Sequence, residues 1–114
     1  MSDNESLVKN KIKELRKGVL ELAVLKIISD SERYGYDIIE VLKDGSLATS
    51  EGTIYPLLTR LKNEGLIVYK WEESDKGPPR KYYTISDKGR DLMDELLEEW
   101  RKIDSGLRKI IGGR

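Results

Sequence analysis

Three groups of side chains in this sequence are equipped to hydrogen-bond or neutralise a polyanion. Ser50, Thr53 and Tyr55 bring three hydroxyls to the start of a periodic apolar stretch, with Pro56 and Arg60 further along it. Lys76, Arg80 and Lys81 lie within and just after a turn-rich segment, and Tyr34 and Tyr36 flank Gly35 ahead of another apolar stretch. Hydroxyls bond phosphates and base edges, and cations neutralise phosphates. The free N–H groups at a helix start add a further anion site. Acid–base and thiol chemistry are poorly supplied by comparison. The chain has no His and no Cys, which removes the commonest general base, the commonest metal ligand and any thiol nucleophile or disulfide. No Gly-rich phosphate loop is visible. The expectation is a non-enzymatic protein without metal or cofactor.

Elements must hold these groups in place, and the hydrophobic periodicity suggests which. Val8, Ile12, Leu15, Val19 and Leu22 recur at steps of four and three, so residues 7–29 read as a helix behind a disordered tail of residues 1–6. Residues 34–44 read as a short helix closed by Gly45. A third helix runs from about 51 to 64, with Ser50 as N-cap and a stripe of Ile54, Leu57, Leu58 and Leu61. Pro56 inside it is anomalous, because proline beyond the first turn removes a hydrogen bond. Ile67, Tyr69 and Trp71 alternate with polar neighbours as a strand does, Ser74 to Pro79 signals a turn at Gly77-Pro78-Pro79, and Arg80 to Ile85 forms a second strand. Ser86-Asp87 then opens a helix reaching about Ile111, on which Leu96, Trp100, Ile103, Leu107 and Ile110 follow a heptad spacing.

The order helix, helix, helix, hairpin, helix predicts a mainly α fold: a winged helix-turn-helix with a long C-terminal helix. Residues 7–85 form the winged unit and residues 86–114 the dimerisation helix. In this arrangement the third helix enters the major groove and the hairpin reaches the backbone beside it. Tyr55 can touch DNA or pack on the hairpin, and Arg60 can touch DNA or form a structural ion pair. Arg80 and Lys81 can be contacts or merely solvated charge. The 114 residues fit one domain with a modest core, which a second subunit would support. No apolar run approaches the roughly 20 residues needed to cross a bilayer, and the acidic, polar start is unlike a signal peptide; a cytoplasmic location is expected. Charge gives DNA binding no support, since Lys+Arg and Asp+Glu both number 21. Any basic face must be gathered by folding. A protein-interaction module that never touches DNA is the alternative.

From about Leu15 to Ile111 the chain resembles the PadR family of bacterial and archaeal transcriptional regulators. The resemblance rests on Gly18-Val19-Leu20-Glu21-Leu22, Tyr34-Gly35-Tyr36-Asp37-Ile38, Ser50-Glu51-Gly52-Thr53-Ile54-Tyr55-Pro56-Leu57-Leu58, Arg60-Leu61, Glu64-Gly65-Leu66-Ile67 and Gly77-Pro78-Pro79-Arg80-Lys81-Tyr82-Tyr83. It accounts for Pro56 as a family feature. It implies a homodimer joined by the terminal helices, through Leu15, Val19, Leu96, Ile103, Leu107 and Ile110, on a pseudo-palindromic double-stranded operator, usually as a repressor. The single terminal helix is similar to the small subclass, whose members often leave DNA on binding an aromatic or planar effector. Trp100 matches a tryptophan that lines the dimer pore of some multidrug-responsive members, and Asp104 an acidic residue one turn later. Two indoles can sandwich a flat molecule while a carboxylate favours a cationic one. Equally, Trp100 can simply fill the dimer seam.

Overall fold

The computed structural model describes residues 3–74 and 77–113. Helix α1 spans Asp3–Asp30, so residues 3–6, expected as part of a disordered tail, are helical. Asp3 and Glu5 lie in its first turn, where carboxylates complement the positive end of the helix dipole. The buried residues of α1 (Leu20, Val24, Leu25, Ile27 and Ile28) all fall in its second half. The first half runs along the surface.

A two-residue strand, β1 (Arg33–Tyr34), precedes α2 (Gly35–Asp44). Helix α3 spans Glu51–Asn63 and contains Pro56 without interruption. Strands β2 (Ile67–Ser74) and β3 (Gly77–Ile85) lead to α4 (Asp87–Gly112). The sheet is antiparallel in the order β1-β3-β2. Arg33 pairs with Tyr83 and Tyr34 with Tyr82. The sequence reading missed β1 because two residues are too few to show a period, and the pairing partner is remote in the chain.

A turn was expected at Gly77-Pro78-Pro79. Those residues instead begin β3, with Gly77 opposite Ser74 and a register irregularity between Glu72 and Ser74. Proline cannot donate to a ladder, which suits the outer end of a two-stranded ribbon. Lys76 lies outside the described residues.

The core is the junction of the helices with the base of the hairpin. Leu25 of α1, Ile38 and Leu42 of α2, Ile54, Leu58 and Leu61 of α3, and Ile67 of β2 are almost wholly buried. Tyr83 and Met93 add to it from β3 and α4. The start of α4 is fixed to the end of α3. The Ser86 hydroxyl accepts from the Gly89 N–H at 3.0 Å and donates to the Gly65 carbonyl at 2.7 Å. Lys88 donates to the Glu64 carbonyl at 2.8 Å, which places a cation at the negative end of α3. A Cβ at Gly89 would overlap the Leu66 carbonyl, so only glycine lets α4 dock here. Beyond Leu96, α4 leaves the core.

Candidate nucleic-acid interface

Helix α3 buries Ile54, Leu57, Leu58 and Leu61. That fixes which side remains open: Gly52, Thr53, Tyr55, Pro56 and Thr59 face solvent. Tyr55 is 41% exposed although apolar in most of its surface. Its ring is set by the start of α2, where a Cβ on Gly35 would stand 2.7 Å from the Tyr55 Cε1 atom. Glycine at 35 thus allows the close approach that defines the angle between α2 and α3.

Ser50 occupies the N-cap position of α3, but its side chain makes no capping hydrogen bond. It faces the Thr53 hydroxyl at 3.2 Å instead. Two hydroxyls and the uncapped first N–H groups are therefore left together at the head of the helix. Thr59 donates to the Tyr55 carbonyl at 3.1 Å.

The hairpin supplies the opposite wall. Register pairs Ile67 with Ile85, Tyr69 with Tyr83 and Trp71 with Lys81, which puts these six side chains on one sheet face. The expected alternation of Ile67, Tyr69 and Trp71 is thus realised. At the base this face covers the core. At the outer end it emerges, with Trp71 61% exposed. The Lys81 ammonium lies 4.5 Å from the Tyr69 ring centre and 5.5 Å from that of Trp71. The Arg80 guanidinium lies 5.1 Å from the Tyr34 ring, which itself packs on Tyr82 at 4.8 Å. Cation–π contact holds both charges without neutralising them. Between α3 and the hairpin is a cleft of about 390 Å³ whose lining includes Tyr55, Thr59, Trp71, Arg80 and Lys81.

Half of the ten side chains singled out in the sequence therefore converge here: Tyr34, Tyr36, Tyr55, Arg80 and Lys81 line this one cleft. The Tyr36 hydroxyl is held above its ordinary pKa by hydrogen bonding to Glu40 and by that carboxylate's charge. Thr53 and Pro56 lie on the other flank of α3, toward α1. Arg60 lies on that flank as well. Its guanidinium is 2.6 Å from the Glu21 carboxylate of α1, so it ties α3 to α1. Trp71 belongs to the cleft and was missed as a contact residue. Its strand pattern marked a face, and nothing local indicated that the outer end of that face would be uncovered.

The long helices carry a second feature. On α1 Leu15 is 75% exposed and Val19 half-buried. On α4 Ile103, Leu107 and Ile110 are exposed, whereas Leu96 packs against the core. Trp100 lies with Leu15, Val19, Leu96 and Ile103 along a groove of about 430 Å³ between the two helices. The carboxylates of that groove are Glu14 and Glu99. Asp104 is not among its lining residues and pairs with Arg108 at 3.0 Å.

A helix-turn-helix whose second helix shares a cleft with a cationic β-hairpin defines a winged helix-turn-helix protein. The model of the transcriptional regulator PadR-like family matches residues 24–95, and the chain belongs to that family. It is similar to a PadR-like transcription factor from Bacteroides fragilis of known structure, with 42% identity, a TM-score of 0.76 and coverage of 89% of this chain and 98% of that one. A transcriptional regulator of Mycobacterium tuberculosis is 29% identical over 90% of this chain and 92% of its own length. Bacillus subtilis PadR, solved in complex with operator DNA, is 30% identical with a TM-score of 0.65 over 69% of this chain. The match spans about half, 47%, of that regulator.

Proposed function

We propose that this protein is a sequence-specific, homodimeric repressor that binds a pseudo-palindromic operator and is released by a planar aromatic effector. The observation that carries the DNA part is the cleft between α3 and the hairpin, where Tyr55 and Thr59 face Trp71, Arg80 and Lys81. Helix α3 enters the major groove with its open side, and the hairpin cations neutralise phosphates of the adjoining backbone. The solved complex of Bacillus subtilis PadR with operator DNA supports the same assignment by similarity.

Dimerisation is supported by the exposed apolar residues of α1 and α4, among them Leu15, Ile103, Leu107 and Ile110. Each leucine-sized side chain covered there contributes about 1.5–3 kcal/mol. Two copies related by a two-fold axis present two α3 helices to two half-sites one helical turn apart. The groove beside Trp100 then lies at the subunit seam, where two indoles can enclose a flat ring. Glu14 and Glu99, rather than Asp104, favour a cationic ligand there.

Fluorescence anisotropy with duplexes from the protein's own upstream region tests the reading. The expected result is operator binding that exceeds binding to random sequence and weakens steeply with salt. Absence of DNA binding at low salt, together with stable capture of another protein, would establish the interaction-module alternative instead. Binding of a planar cationic dye, read by the dye's own fluorescence, tests the effector site: it should be lost in a Trp100→Ala protein that still dimerises, and equal binding by that variant would remove the site.

A further inference from the structure

Neutral overall charge conceals a one-signed surface. Lys9, Lys13, Arg16 and Lys17 of α1 line a groove of about 570 Å³ against the first turns of α3, and among the described residues no carboxylate lines it. Each of the first three follows directly on a member of the apolar stripe Val8, Ile12 and Leu15. One residue is about 100° of helix rotation. Helix α1 thus carries a basic stripe about a quarter-turn from its apolar one. A second subunit covering the apolar stripe leaves the basic stripe facing the side from which α3 presents its residues.

Two contacts join this stripe to the recognition helix. Arg16 donates to the Ala48 carbonyl at 2.9 Å, in the segment that leads into α3. Gly52, Thr53 and Pro56 form the opposite wall of the groove. The fifth cation of the groove, Arg60, is already paired with Glu21. Among the described residues, Lys9, Lys13 and Lys17 make no ion pair, and all three are exposed. Three unpaired ammonium groups on one helix face repel one another, so an anionic partner relieves an unfavourable arrangement.

We propose that Lys9, Lys13 and Lys17 form a second, sequence-independent DNA contact that grips the phosphate backbone beside the groove entered by α3. From Lys9 to Lys17 is about 12 Å along the helix. A DNA strand presents a phosphate about every 3.4 Å of duplex axis, so roughly three lie within that reach. Arg16 is the positioning residue that keeps the stripe aligned with α3. This proposal rests on the DNA-binding reading above. It also explains how a chain of zero net charge can hold a polyanion: Lys9, Lys13, Arg16 and Lys17 gather in one groove, and Arg80 and Lys81 line the cleft on the other flank of α3.

The test compares the wild type with Lys9→Gln/Lys13→Gln/Lys17→Gln by anisotropy, on operator and random duplexes across a salt series. Circular dichroism and light scattering verify that fold and assembly are kept. The triple variant should weaken binding to both duplexes by the same factor. Its log–log salt slope should become shallower by about two to three, close to one per lost phosphate contact. Replacing all three lysines with Arg should restore both. A wild type that binds operator, with a variant of unchanged slope, overturns the proposal and leaves the DNA reading intact. Loss confined to the operator duplex also overturns it, because the stripe would then read sequence. A wild type that binds neither duplex overturns both.

Discussion

Gly35 and Tyr55 show how one missing methyl group can govern a binding surface. The Tyr55 ring occupies space that any β-carbon at position 35 would contest. Gly35→Ala is therefore expected to displace that ring into solvent, with an overpacking cost of about 1–3 kcal/mol. Operator affinity should fall about tenfold, as in Tyr55→Ala, which corresponds to ~1.4 kcal/mol. Combining the two substitutions should lower affinity little further, since both remove the same contact. Anisotropy titrations of the four proteins check this, and full additivity would show that Gly35 acts elsewhere. Arg60 illustrates the opposite outcome. The sequence left it open between DNA contact and ion pair, and the Glu21 carboxylate takes its guanidinium.

At the scale of elements, the two long helices are each divided between roles. Only the second half of α1 and the first turns of α4 contribute to the core. The remaining lengths carry apolar residues that stay half or more exposed, including Leu15 and Ile103. Ile103→Glu/Leu107→Glu should convert a dimer to a monomer in light scattering and lower operator affinity, because two half-sites would no longer be bound together. A wild-type protein that is monomeric at micromolar concentration would remove the dimer from the proposal. The hairpin is likewise divided: its base is core and its outer end is cleft wall. The periodicity of Ile67, Tyr69 and Trp71 is the same in both halves, so pattern alone assigns them one face but not one role.

Considered as a whole molecule, the chain has an unusual titration profile. Without His or Cys, it lacks the side chains that ordinarily change charge near neutrality. Burial pushes the Tyr83 hydroxyl above its ordinary value of 10.0. A phenol whose folded pKa is raised favours folding fully below the unfolded value, and that contribution is lost as pH rises through the folded value. Stability to urea should therefore be level from pH 6 to 9 and decline above about pH 10. Ultraviolet titration should find two tyrosines, Tyr36 and Tyr83, ionising late. A transition centred near pH 7 would contradict this account.

The sequence by itself determined the order of elements, the helical and strand faces, and half of the cleft residues, because apolar periodicity and capping chemistry act over a few residues. Even Pro56 was placed on α3 by the apolar stripe around it, and the family pattern accounted for a proline there. The two-residue β1, the extension of β3 through Gly77-Pro78-Pro79, and the partner of Arg60 were decided only in three dimensions. Each depends on what stands opposite, and that is fixed by the meeting of remote segments. The charge surface belongs to the same class. Equal numbers of acids and bases said nothing of their distribution, and folding set three unpaired lysines of α1 beside the helix that reads DNA in the proposal.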